Sequence, residues 1–242
     1  QPEFTQIDME MAFVETEDVL SVCTELVRYL WKSVKNIDLP EKFPIIKYHD
    51  AMEKYGSDRP DTRFDMELQE FEPYIKKSNF NAFKSVLESN GRVKALVCSN
   101  AKNYSRKVID ELTEMLKTYY NAKGLAWMKA VDGKLEGGIS KFFPDNIQLS
   151  IRNELNVDDG NILFIIGDQE RIVLDALGAL RVELAKRECM IDGSIWAPLW
   201  VVDFPLVGWN EDNNGWDALH HPFTAPHPED IQLIDSDPAS VK

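Results

Sequence analysis

The sequence predicts an α+β fold, and three observations carry that reading. Short apolar runs with strand character alternate with longer segments of helical periodicity. Residues 4–13 show a two-residue alternation. Between residues 66 and 188, strand and helix signals are mixed densely enough for an independent unit of about 120 residues. The 242 residues suffice for one large or two ordinary domains, and 44% hydrophobic with 28% charged residues is the profile of a soluble globular protein.

Thr5, Ile7, Met9, Met11 and Phe13 alternate with Gln6, Asp8 and Glu10. This period of two predicts a strand over 4–13 with one face in a core. Thr16 reads as an N-cap, with Glu17 and Asp18 where the helix dipole favours them. Val19, Leu20, Cys23, Leu26, Val27, Leu30, Trp31 and Val34 follow at helical spacing, so 17–35 is expected as an amphipathic helix. A short strand over 44–48 and a helix over 50–55 follow, the latter closed by Gly56. The charged segment SDRPDTR (57–63) reads as a loop, where Arg59 and Arg63 fit solvation better than RNA contact.

Beyond it, 93–98, 125–131 and 162–166 read as strands and 104–122, 145–155 and 169–186 as helices, with Gly124 at the end of the first. Residues 199–207 are expected as a further strand with Asp203 at its middle, where a carboxylate needs a partner. A Gly/Asn/Asp loop over 208–215 leads to His220 and His221, and a polar stretch over 227–242 ends the sequence.

Composition excludes several function classes. Asp plus Glu number 41 against 27 Lys plus Arg, a net charge of −14, which opposes non-specific nucleic-acid binding. Any RNA contact must use a local basic patch or another part of the protein. Cys23, Cys98 and Cys189 are too few and too scattered for a disulfide framework or a zinc site, and suggest a reducing compartment. No apolar run could span a bilayer, and no signal segment opens the sequence. The start at Gln1-Pro2-Glu3-Phe4, without Met, reads as that of an internal piece.

Two constellations could carry chemistry. Gln6, Asp8 and Glu10 at i, i+2, i+4 fit either a polar pocket floor, where carboxylates hold an ammonium group, or a solvent-facing sheet surface. Of His220 and His221, adjacent on a strand, at most one faces a given pocket, where it could hold a carboxylate; an ordinary surface histidine fits equally. No Gly-rich phosphate loop is present.

At these residues a family resemblance emerges. QPEFTQIDMEMAF (1–13) resembles the back half of motif 2 in aspartyl-tRNA synthetases of the bacterial and mitochondrial type. YGSDRPDTRF (55–64) resembles the segment before those enzymes' inserted domain, and LGALRVELAK (177–186) that domain's last helix. WAPLWVVDFPL (196–206) and HHPFTAPHPED (220–230) resemble the strands returning to the catalytic core. The matches run in family order.

The resemblance implies a class II synthetase antiparallel-sheet core, here partial, in segments 1–65 and 189–242. Residues 66–188 would be the inserted GAD-type α+β domain, of the kind also found in the tRNA-dependent amidotransferase. It implies activation of L-aspartate by ATP with Mg2+ and transfer to tRNA(Asp), by a full-length homodimer in the cytoplasm or an organellar matrix, with no membrane association. By position, Gln1 would contact ATP. His220, Asp8, Gln6 and, less directly, His221 would surround the substrate aspartate. No metal ligand or catalytic group is carried over. The arginines of motifs 2 and 3 and the acidic ATP/magnesium residue would lie outside this sequence, so the chain alone is expected to be inactive. Two alternatives accept the resemblance but change the role: an RNA- or protein-binding insert module, and a non-catalytic synthetase paralogue.

Overall fold

In the computed structural model, residues 3–210, 212–221 and 223–242 are described. The chain divides into two compact units, residues 1–45 with 198–200 and residues 46–197 with 201–242.

In the first unit, α1 spans Thr16–Leu30 and continues as a π-helical turn, Trp31–Lys35, closed by Asn36 in a left-handed conformation. Glu15, rather than Thr16, is the N-cap, because the Asp18 carboxylate accepts the Glu15 N–H at 2.9 Å and reciprocates the cap. Leu39 and Phe43 are buried. The indole N–H of Trp200 donates to the Thr24 hydroxyl at 2.9 Å, and its backbone N–H to the Pro44 carbonyl.

The strand expected over 4–13 does not form. Residues 3–14 are exposed and irregular, with Phe4 and Phe13 among the exposed large side chains. Alternation makes a strand only where a neighbour accepts the backbone ladder, and among the described residues none pairs with this segment.

The second unit follows in chain order from β1 (Ile45–Lys47), which straddles the division, through α2 (Tyr48–Tyr55), β2 (Gln69–Glu70), α3 (Glu72–Lys76), α4 (Asn81–Glu88) and β3 (Arg92–Cys98). Next come α5 (Arg106–Tyr120), β4 (Ala126–Val131), β5 (Lys134–Glu136), α6 (Asp145–Glu154), β6 (Ile162–Asp168) and α7 (Glu170–Arg187). The central sheet has the order β2-β3-β6-β4-β5 and is antiparallel throughout. Every residue of β6 is buried, since helices cover both faces. Leu96, Ile162, Phe164 and Ile166 pack with Leu112 and Leu116 of α5 and Leu177 and Leu180 of α7. The opposite face, with Val93, Ala95, Leu163 and Ile165, packs with Phe71, Ile75 and Ile151. Ser105 caps α5, and Asn121, in a left-handed conformation, ends it three residues before the expected Gly124.

Two buried cations organise this unit. Lys94, only 2% exposed, is neutralised by Glu53 at 2.7 Å and by Glu70, while Arg92 beside it bonds Glu53, Glu70 and Glu170. Arg181 on α7 is buried, and its guanidinium donates to the carbonyls of Asp61, Phe64 and Met66 at 2.9, 3.0 and 2.6 Å. The rings of Phe64 and Tyr55 lie 4.0 and 4.8 Å from that cation. The 57–66 segment is therefore a loop in conformation but fixed in place, because three of its carbonyls are satisfied by one rigid donor fork.

The expected strand 199–207 is interrupted. Only β7 (Trp200–Val202) forms, because Asp203 adopts φ +57° and turns the chain. Residues 208–210, expected in a loop, instead complete β8 (Val207–Asn210), which forms a hairpin with β9 (Gly215–Ala218). Among the described residues no helix is long and apolar enough to cross a membrane.

Candidate functional site

The described part of the candidate site in the second unit is built around the Asp203 turn. A left-handed φ is tolerated by Asp better than by most side chains. Here the Asp203 carboxylate meets the Lys47 ammonium at 3.3 Å, giving it the partner that an interrupted apolar run requires. The turn places Phe204 against two other rings. Its centroid lies 5.0 Å from Tyr48 at the start of α2, tilted by 45°, and 4.7 Å from His220, nearly perpendicular at 85°. These separations are those of favourable aromatic pairs. Burial, and then the nearby carboxylates of Asp58 and Asp175, push the Tyr48 hydroxyl above its ordinary range, so it stays neutral at pH 7.

His220 reaches this point through the hairpin. Trp209 and Trp216 pair across it at 5.4 Å, and Asp217 accepts hydrogen bonds from the Asn210 and Asn213 side-chain amides, which hold its carboxyl below the usual range. Leu219 N–H then donates to the Leu206 carbonyl at 3.2 Å, fixing the residue before His220. The His220 side chain is exposed, and among the described residues its ring makes no hydrogen bond or ion pair. Its ring lies against that of Phe204.

His221 has a different environment. Its Nδ1 accepts the Phe223 N–H at 3.2 Å, and its ring lies 5.0 Å from that of Phe223. Neither histidine sits in a strand, so their divergence follows from the turn rather than from strand alternation. Gln6 and Asp8 lie in the first unit, exposed on an irregular segment. Gln1 falls outside the described residues. Among the described residues no group of three or more His, Cys, Asp or Glu side chains is placed to hold a metal ion. Reading the sequence missed Tyr48, Lys47 and Phe204. The one available signal was Asp203, an acid within an apolar run.

The family model for class II tRNA synthetases (D, K and N) matches residues 1–241, and the chain belongs to that family. Among its curated relatives it is similar to the aspartate–tRNA ligase of Halalkalibacterium halodurans, 46% identical over the whole of this chain and 41% of that protein. It is 44% identical to the aspartate–tRNA ligase of Staphylococcus haemolyticus and 41% identical to the aspartate–tRNA(Asp/Asn) ligase of Caldanaerobacter subterraneus, again over the whole chain and 41% of each relative. The chain thus spans about two fifths of the length of these relatives, which fits the expectation of an internal piece. The resemblance read from five short segments holds along the full sequence.

Proposed function

We propose that this chain is the part of an aspartate–tRNA ligase that carries one side of the aspartate pocket. The reaction joins L-aspartate to ATP, releasing pyrophosphate, and the aspartyl group then passes to tRNA(Asp). The observation that supports this most directly is end-to-end similarity to aspartate–tRNA ligases at 41–46% identity.

Within that reading, His220 faces a carboxylate of the bound aspartate, with His221 beside it in sequence. Asp8 and Gln6 receive the substrate's ammonium group, since a carboxylate opposite an ammonium makes a charge-assisted pair. Gln1 contacts ATP. Such a site works by positioning the reactants and stabilising charge on the phosphates. Magnesium would supply part of that stabilisation. The described residues assemble no cluster to hold it, and no step is assigned to it in this chain.

We propose further that segments 1–65 and 189–242 belong to the catalytic core and 66–188 to an inserted domain. In support, the central sheet is built from residues between Gln69 and Asp168, and α7 ends at Arg187. The full-length protein is read as a cytoplasmic or organellar homodimer.

The test is ATP–pyrophosphate exchange by the full-length gene product, measured with each amino acid. Exchange with aspartate alone is expected, and none is expected from the 242-residue chain by itself. A folded full-length product that exchanges with no amino acid would sink the ligase reading and favour a paralogue.

A further inference from the structure

We propose that Phe204 is a positioning residue for His220, supported from behind by Tyr48. The proposal rests on the reading of His220 as an aspartate-binding residue. An exposed imidazole that makes no hydrogen bond has little to fix its orientation. Its terminal torsion is broad and two-fold, so the nitrogen meant for a carboxylate would point elsewhere much of the time. Among the described residues, the one ring held against it is Phe204, at 4.7 Å and 85°.

Phe204 is in turn located twice. Tyr48 packs on it at 5.0 Å, and the neighbouring residues Lys47 and Asp203 form an ion pair at 3.3 Å. Residues 47–48 and 203–204 are therefore clipped together by one charge contact and one ring contact. The φ of +57° at Asp203 is what turns Phe204 out of the β7 direction towards His220. Each of these features is local, and together they define a stack of Tyr48, Phe204 and His220 in that order. A side chain already held in its binding orientation avoids the loss of rotamer freedom that binding otherwise imposes.

The test uses the full-length gene product in ATP–pyrophosphate exchange. Phe204→Leu, which keeps apolar volume but removes the ring, is expected to raise the aspartate KM by about three- to tenfold, the scale set by immobilising one side chain. The KM for ATP should stay within about twofold, since the stack bears on aspartate alone. Phe204→Tyr keeps the ring and should restore most of the loss. In a His220→Ala background, Phe204→Leu should add little, because residues acting through one another are non-additive. Tyr48→Leu should shift aspartate KM in the same direction by less, which provides a second route should Phe204→Leu misfold.

Three results would overturn the proposal: an unchanged aspartate KM in Phe204→Leu, an undiminished Phe204→Leu effect without His220, or parallel losses for ATP and aspartate. The underlying reading fails differently. It falls if the wild type does not exchange with aspartate, or if His220→Ala leaves the aspartate KM untouched.

Discussion

At the scale of single residues, Lys94 is a charge placed deep inside the second unit. It sits 2% exposed in a strand and is tolerated because Glu53 and Glu70 both reach it. Burial by itself would raise the Glu53 carboxyl. Hydrogen bonds from Arg92 and Lys94 outweigh that and hold it at about 2, against an ordinary 4.5. A depressed folded pKa contributes stability that is fully present above the ordinary value and disappears as pH falls towards 2. Glu53→Gln should therefore cost about 1–2 kcal/mol near pH 7, allowing for the partial exposure of the carboxylate. The difference from wild type should shrink between pH 4.5 and pH 2. Denaturant melts across that range check it, and a constant difference would contradict the ion cluster. No sequence signal pointed to this cluster, because it depends on the antiparallel register of β2 and β3, which sets Glu70 opposite Lys94, and on Glu53 reaching both cations from α2.

At the scale of elements, the C-terminal end of α2 meets α7 backbone to backbone at Gly56 and Gly178. A Cβ at Gly178 would lie 2.2 Å from the Gly56 carbonyl oxygen, and one at Gly56 would lie 2.2 Å from the Leu174 carbonyl oxygen. Both obstacles are backbone, so neither can swing aside. Gly178→Ala should cost about 2–3 kcal/mol by overpacking, whereas Gly124→Ala, with open space around it, should stay within about 0.5 kcal/mol. Thermal melts of the two variants provide the comparison, and equal effects would mean that the helices can separate.

The elements that the sequence predicted well are those whose signals are local. The buried strands 92–98 and 162–168 and helix α7 declare themselves by apolar runs and helical spacing. What failed depended on distant or conformational facts. Residues 4–13 alternate but lack a ladder partner among the described residues. Asp203 divides a continuous apolar run through its own φ rather than through its neighbours' character. The candidate site was legible to the same degree. His220 stood out, but Tyr48 and Phe204, which locate it, could be found only once the turn at Asp203 was known.

At the scale of the whole molecule, charge decides which partner this chain can hold alone. It carries 41 acidic and 27 basic side chains, and several of the basic ones are already committed to ion pairs: Arg92, Lys94 and Arg152 each meet carboxylates with little exposure of their own. Binding to RNA gains affinity by releasing counterions from phosphates, and that gain requires cations available at the surface. A net charge of −14 works against it. The 242-residue chain should therefore bind tRNA more weakly than about 10⁻⁴ M near 0.15 M salt, the weak end of non-specific nucleic-acid binding. On the ligase reading proposed above, the full-length gene product should bind measurably. Fluorescence anisotropy of labelled tRNA against both proteins separates the cases. Saturable binding by the chain itself, falling steeply with added salt, would overturn the argument and locate a basic patch within it. Specific tRNA binding by the 66–188 segment alone would favour an RNA-binding role for it over that of a structural accessory.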